Sequence, residues 1–499
     1  MQGNSTTKAV NPLLRKKPVA TLIAESESGA LPPGAPEHGG RSGIHLRRSI
    51  GLWQVAAIGI SCTVGTGIFF VLNTAVPEAG PAVLISFVLA AITAGLTGIC
   101  YAELASTIPV AGSSYSYAYA TMGEGIAFGV GACLLLEYGV AASATAVSWG
   151  EYLNKLLDLT FGVTIPDALA APPGSGGYFN LPAVVLVVLC CILLIRGASE
   201  SARVNAIMVG VKITILVLFV AVALSAFRAG NLTPFAPHGV AGVGMAASSI
   251  FFSFIGLDAV STAGEETKNP RRTMPLAILI TLAVVTLLYI GVALAAVAAQ
   301  PSNRFAGQEA GLAQILQDVT GHGWPALVLA AGAIISIFSV TLVELYGQTR
   351  ILFSMGRDGM LPQRFARVWP RTGTPAWNTV VVGVGVALLA AFVPLDALTD
   401  LTSLGTLVAF TVVSAGVIIL RRSQPGLNRG FKVPGYPLTP ILSIAFCLYL
   451  VYGLHSGTFL MFGVWLAGAA AIYFGYSIKH SRLARPAEEE DLAAGVSSH

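Results

Sequence analysis

Apolar runs of about 17–25 residues, the length that crosses the hydrocarbon core of a bilayer, recur about twelve times in this chain. They lie near residues 52–75, 82–108, 125–150, 180–197, 204–227, 243–266, 274–299, 324–350, 377–393, 398–420, 438–454 and 458–478. In lipid every backbone polar group must be satisfied internally, so runs of this kind fold as helices. The expected fold class is an all-α polytopic membrane protein with about 12 transmembrane helices. Composition agrees, with 55% hydrophobic and 10% charged residues and a mean hydropathy of +0.75. A soluble chain of 499 residues would not carry so few charges. The net charge is +4, and Lys and Arg sit in short clusters without forming a stripe, so nucleic-acid binding has little support.

Residues 1–47 hold Pro, Gly, Ser and scattered basic residues but no crossing-length run, and no signal-peptide core precedes Leu52. A retained, disordered cytoplasmic tail is expected there. Residues 480–499, with the acidic run Glu488–Asp491, read as a second cytoplasmic tail. With both termini inside, the inner segments collect Arg196, Arg203, Lys268, Arg271, Arg272, Arg350 through Arg371, Arg421, Arg422, Arg429 and Lys432. Only Lys155, Arg228 and Arg304 fall outside, an asymmetry that the positive-inside rule turns into an orientation. The compact loops suit a multi-pass protein of a bacterial inner membrane.

Two of the runs are interrupted by glycine. The first reads Gly59-Ile60-Ser61-Cys62-Thr63-Val64-Gly65-Thr66-Gly67-Ile68-Phe69, and the sixth reads Phe251-Phe252-Ser253-Phe254-Ile255-Gly256-Leu257-Asp258. Unwound backbone within a bilayer is tolerated only where protein or a watery cavity satisfies it. Interruptions in corresponding positions of two halves are the strongest sequence pointer to a transporter's central site. An offset of five spans is what a 5+5 inverted repeat requires, dividing the chain into 48–235 (helices 1–5), 236–422 (helices 6–10) and 423–479 (helices 11–12). At a break, the N–H groups and positive dipole end of a half-helix can receive a carboxylate, and Gly65, Thr66 and Gly67 let a ligand reach the backbone. Close helix packing is the alternative use of Gly-x-Gly in a membrane helix.

Lys212 lies in the middle of the fifth span, too deep to reach either surface easily, so it should face the bundle interior and be functional. Burial penalises its charge, which makes reversible protonation available to it. Glu137, mid-way along the third span, is a second intramembrane ionisable group, either a proton relay or a determinant of substrate orientation. Asp258 follows the second break by two residues and could support it by accepting freed backbone N–H groups. Phe252 could swing as a thin aromatic gate, and Ile337 of the eighth span lies at the depth of the site. Glu265 and Glu266 could form an inner-gate ion pair with Arg47 or Arg48, or belong to a solvated loop. Glu344 is expected near the surface, paired with Arg350. The six cysteines all fall in apolar runs without metal spacing and read as small core residues.

Family likeness adds to this. The first break followed by Pro77-Glu78-Ala79-Gly80-Pro81-Ala82 resembles the first helix and loop of the amino acid–polyamine–organocation superfamily. Cys100-Tyr101-Ala102-Glu103-Leu104-Ala105-Ser106 and Pro109-Val110-Ala111-Gly112-Ser113-Ser114-Tyr115 resemble its second helix and loop. Leu136-Glu137-Tyr138-Gly139-Val140-Ala141, Glu200-Ser201-Ala202-Arg203-Val204-Asn205 running on to Lys212, Tyr346-Gly347-Gln348-Thr349-Arg350 and Arg357-Asp358-Gly359-Met360-Leu361-Pro362 are similar to the bacterial, twelve-helix form of the cationic amino acid transporter subfamily. The likeness covers about residues 45–480. It implies a leucine-transporter-like fold, with discontinuous first and sixth helices, that binds an amino acid. Carbonyls near Thr63, Phe252 and Ile255 would then take the substrate amine, and Lys212 would replace a bound sodium ion, touching first- and eighth-helix backbone.

The resulting expectation is a secondary active transporter, not an enzyme, that imports amino acids by proton-coupled symport. The substrate-binding set is Thr63, Val64, Gly65, Thr66, Gly67, Phe252, Ile255, Gly256 and Ile337; Lys212 and Glu137 couple protons. No metal or cofactor is expected beyond the proton, and sodium is the less favoured coupling ion. An apolar Ile337 and the lack of a spare acid beside the breaks favour small or medium neutral L-amino acids. An exchanger of amino acids or polyamines and cationic amino acid uptake are the alternatives, and an amino acid sensor is a remote one. The expected partners are the amino acid and the lipid bilayer; the sequence does not identify a small single-span membrane partner. No nucleophile–base pair, metal spacing or phosphate loop argues for an enzyme, and His238, His322 and His455 are scattered in loops.

Overall fold

The computed structural model describes residues 11–22 and 50–484, apart from 66, 109, 111–112, 174, 198–201, 263–266 and 370–373. Each of the twelve apolar runs is helical. The first is split into α1 (Leu52–Thr63) and α2 (Gly67–Ala79), and α3 (Val83–Thr107) follows. After the short α4 (Ser113–Thr121) come α5 (Glu124–Phe161), α6 (Leu181–Ile195) and α7 (Ala202–Ser225). The sixth run begins as α8 (Gly239–Ile250), tightens to a 3-10 turn at Phe251–Phe254 and resumes as the one-turn helix Ala259–Thr262. Then come α9 (Pro270–Ala299), the short α10 (Gly311–Thr320), α11 (Gly323–Arg357), α12 (Ala376–Phe392) and α13 (Leu395–Ser423). α14 (Leu438–Tyr452) and α15 (Ser456–Ile472) close the chain. The protein is an all-α polytopic membrane protein, and no strand occurs among the described residues; Ile50 and Thr267 form an isolated bridge.

Packing gathers the buried apolar side chains into two clusters. α1, α2, α3, α8 and α9 contribute to the first, α5, α6 and α12 mainly to the second, and α11 and α13 to both. Small residues let these helices approach, as they must where lipid removes the hydrophobic drive between them. Gly95 and Gly98 of α3 lie against Leu282 and Ile278 of α9, for example. Phe70 and Phe252 belong to the second cluster although α2 and the sixth run carry them, so these two rings lie across the seam. α14 and α15 are peripheral: α15 buries only Thr458 and Phe462, and its remaining surface suits lipid.

Consecutive spans alternate in direction, so Lys155, Arg228 and Arg304 gather at one end and Lys268, Arg357, Arg421 and Arg429 at the other. At that second, basic end Glu103 of α3 is 1% exposed and satisfied in full. It accepts from Arg421 Nε at 2.8 Å and the Val433 backbone N–H at 2.7 Å, with Arg429 at 3.4 Å. A buried carboxylate requires such partners.

Of the terminal segments, residues 11–22 and 480–484 are described, and both lie against the bundle. Residues 12–14 form a 3-10 turn capped by Asn11, and Val19 and Leu22 are each only 5% exposed. Ser481 Oγ donates to buried Glu124 at 2.7 Å. Both segments are folded against the basic end because each offers apolar or hydrogen-bonding groups that complete it.

Candidate functional site

α1 ends where its backbone turns inward on itself: Val64 N–H donates to Ile60 O at 2.7 Å and Gly65 N–H to Thr63 O at 2.8 Å. The chain restarts as α2 at Gly67, so carbonyls of one half-helix and N–H groups of the next face a common point. Thr63 Oγ1 donates to Gly59 O at 2.9 Å, and the Thr63 carbonyl accepts the Tyr289 hydroxyl of α9 at 2.6 Å. With the Gly65 N–H, that hydroxyl occupies both lone pairs of the Thr63 carbonyl. Thr66 lies outside the described residues.

The second break turns at Gly256, whose φ of +92° is a left-handed conformation that a side chain would strain. Asp258, two residues on, is buried, and its Oδ2 accepts the Tyr138 hydroxyl at 3.4 Å.

The two breaks touch at two points. A Cβ on Gly67 would stand 2.5 Å from Ser253 Cα, and one on Gly256 would stand 3.0 Å from the Cys62 carbonyl. Position 62 meets 256 and position 67 meets 253, so the unwound segments cross antiparallel.

Beside this crossing is a narrow cavity of about 10 Å³, room for a single water, bounded by Thr63, Gly65, Gly67, Phe252 and Ile255, together with Cys62, Ala141, Val340 and Glu344. Phe252 packs on Phe70 with ring centroids 5.6 Å apart, closing one side. Of the other expected substrate residues, Val64 is fully buried, and Gly256 supports the wall through its contact with Cys62. Ile337 is fully buried in the core and is not part of the wall; Val340 and Glu344, about one and two helical turns further along α11, line it instead.

Lys212 is completely buried and donates to the Ser61 carbonyl at 2.8 Å, with the Ser61 hydroxyl at 3.4 Å. The fifth-span ammonium is thus joined to the last turn of α1. Glu137 is 1% exposed beside Thr406, and neither carboxylate oxygen meets a donor at full hydrogen-bond geometry. Asp258 and Glu344 are near enough to act on it electrostatically.

Two sequence readings need correction. Glu344 does not pair with Arg350 near the surface, because helical spacing turns it inward: its Oε2 lies 3.1 Å from Thr145 Oγ1 of α5. Arg350 instead stacks over Tyr346 at 4.1 Å. Cys62, read as a core residue, is half-buried on the cavity wall. Its place between Ser61 and Thr63, inside the break, was the available signal. The inner-gate pairing of Glu265 or Glu266 with Arg47 or Arg48 falls outside the described residues. A larger polar cavity of about 310 Å³ lies beside α10, lined by Glu151, Lys155, Glu309 and Gln314 among others.

A bundle of apolar helices with two unwound segments meeting at a buried cavity defines a membrane transporter. The profile of the amino acid permease family matches residues 50–472, and the chain belongs to that family. It is 42% identical to the methylthioribose transporter of Bacillus subtilis over 475 residues, covering 94% of this chain and 99% of that protein. It is 43% identical to the branched-chain amino acid permease BcaP of the same organism, with the same coverage. It is 35% identical to the vacuolar cationic amino acid transporter 4 of Arabidopsis thaliana, covering 76% of this chain and 64% of that protein. The chain is a transporter, not an enzyme.

Proposed function

We propose that this protein is a proton-coupled symporter that brings amino acids into the cell by alternating access, in a bacterial inner membrane with both termini cytoplasmic. The observation that carries the reading is the buried Lys212 ammonium on the Ser61 carbonyl. While charged, it holds α1 to α7 beside the cavity. Loss of its proton removes the charge that favours this bond and frees the half-helix to move. The substrate carboxylate is received at the N-terminus of α2, around Gly67 and the preceding Gly65 and Thr66, and the amine at carbonyls near Thr63, Phe252 and Ile255. Asp258 keeps the second break in shape, and Glu137 relays a proton or orients the substrate.

The apolar side of the cavity, Ala141, Ile255 and Val340, favours a small or medium neutral side chain, in keeping with the branched-chain substrate named for BcaP. The similarly close methylthioribose transporter shows that overall likeness does not select the substrate. Glu344 on the wall favours a second reading, a cationic amino acid whose side-chain charge meets that carboxylate.

Uptake of labelled alanine, leucine and arginine into proteoliposomes under an inward proton gradient, with and without sodium, tests all of this. Accumulation that collapses with a protonophore and ignores sodium is expected. Flux only after preloading with unlabelled amino acid would make the protein an exchanger and sink the symport reading.

A further inference from the structure

We infer that the polar cavity beside α10 is a binding site for a small molecule that carries an ammonium group and an oxygen acceptor, separate from the cavity at the two breaks. Its volume of about 310 Å³ falls at the small end of the range for ligand pockets. It lies at the end of the bundle where Lys155, Arg228 and Arg304 gather, opposite the basic end. Two stretches far apart in the chain wall it. One is the last part of α5, with Glu151, Asn154, Lys155 and Asp158; the other runs from Gln308 into α10, with Glu309 and Gln314.

The charge on this wall is unbalanced. Three carboxylates share it with one cation, and that cation is engaged: Lys155 Nζ donates to Gln314 Oε1 at 2.9 Å and lies 3.8 Å from Asp158 Oδ2. Glu151 and Glu309 make no ion pair among the described residues. The charged groups acting on them from neighbouring segments, Asp167 and Asp396, are acidic as well. Two carboxylates without a cation on the wall of one cavity leave a place for a positive charge.

A second feature points to a ligand. Asn154 is only 9% exposed, and its Oδ1 accepts the Ile165 N–H at 2.7 Å. Its Nδ2 has no acceptor among the described residues, and the side chain lines the cavity. A donor held this deep is ordinarily satisfied, and a carboxylate or hydroxyl oxygen on the ligand would satisfy it here. An ammonium group between Glu151 and Glu309 would bridge the two walls. The far side of the second wall is tied to α2, where Asn73 Nδ2 donates to Gln308 O at 2.8 Å. Binding should therefore stiffen residues 308–320. The site uses neither the central cavity nor proton coupling, so it stands or falls apart from the proposed function.

Hydrogen exchange over residues 308–320 of the full-length protein in detergent reads the site directly, with lysine and putrescine as the probes. Lysine should slow exchange several-fold and act at lower concentration than putrescine, which lacks the oxygen acceptor. Glu309 is exposed, so Glu309→Gln spares the fold, and it should raise the lysine concentration required about tenfold. Asn154→Asp keeps the acceptor for Ile165 while removing the donor, and should bring lysine and putrescine level. Exchange that neither amine slows overturns the inference. So does protection that persists unchanged in Glu309→Gln, or that is lost in Glu344→Gln, which would place the amine at the central cavity.

Discussion

The Lys212 ammonium and the Ser61 carbonyl, 2.8 Å apart and both buried, link the fifth span to the final turn of the first half-helix. Replacing the ammonium with a thioether removes the titrating group and nearly keeps the volume. Lys212→Met should abolish proton-driven accumulation while substrate binding persists, at a stability cost of about 1.5–3 kcal/mol, the range for hydrogen bonds to charged groups. Uptake measured against equilibrium binding on the same preparation checks this; a variant that still concentrates substrate along a pH gradient would remove Lys212 from coupling.

Gly67 has no room for a side chain, because Ser253 backbone and hydroxyl atoms occupy the space a Cβ would take. Gly67→Ala should cost about 1–3 kcal/mol, the usual range for overpacking, and weaken amino acid binding along with it. Calorimetric titration decides the matter, and undiminished affinity would sink the backbone-recognition reading.

Glu344 is the acidic group most directly on the cavity wall. Glu344→Gln keeps its shape and removes its charge, so the ratio of leucine to lysine affinity should rise by about tenfold or more if the carboxylate meets a cationic side chain. An unchanged ratio, with parental pH dependence, would leave Glu344 a structural partner of Thr145 only.

His455, at the start of α15, has its imidazole Nδ1 2.6 Å from Asp400 Oδ2. The hydrogen bond to that carboxylate raises the His455 pKa above its ordinary 6.5, against a smaller opposing effect of burial. A raised folded-state value means the imidazolium contributes stability fully below pH 6.5, and the contribution is lost as pH rises through the folded-state value. Thermal unfolding of the parent and of His455→Gln should therefore diverge in acid and converge in base. Parallel curves would show that the pair adds nothing.

Glu103 is satisfied by Arg421, Arg429 and the Val433 N–H, so truncating it leaves two guanidinium groups at the basic end with backbone carbonyls but no carboxylate. Glu103→Ala should cost about 3–5 kcal/mol, as breaking one side of a buried pair does. Chemical unfolding in detergent gives the number, and a loss under about 1 kcal/mol would show water reaching the arginines.

The helices and the two breaks were legible because each rests on local information: apolar length for the spans, and glycine within an apolar run for the interruptions. Lys212 was legible because an isolated charge in a span has so few physical uses. What sequence could not carry was depth. Ile337 and Glu344 are seven residues apart on one face of one long helix, and a shift of two turns exchanges which of them meets the cavity. Nor could it pair partners distant in the chain, such as Glu103 with Arg421 or Lys17 with Asp358. These contacts are fixed by how helices dock, and neighbouring residues say little about that.

The contact between Gly256 and Cys62 has a consequence for how sequences of this kind can vary. A methyl group gained at 256 needs space that the backbone at 62 already occupies, and the same holds between 253 and 67. Size at these places is a shared quantity. Across relatives, 62 with 256 and 67 with 253 should change together, and a lineage that enlarges one member should be found to have shrunk its opposite or shifted the turn beside it.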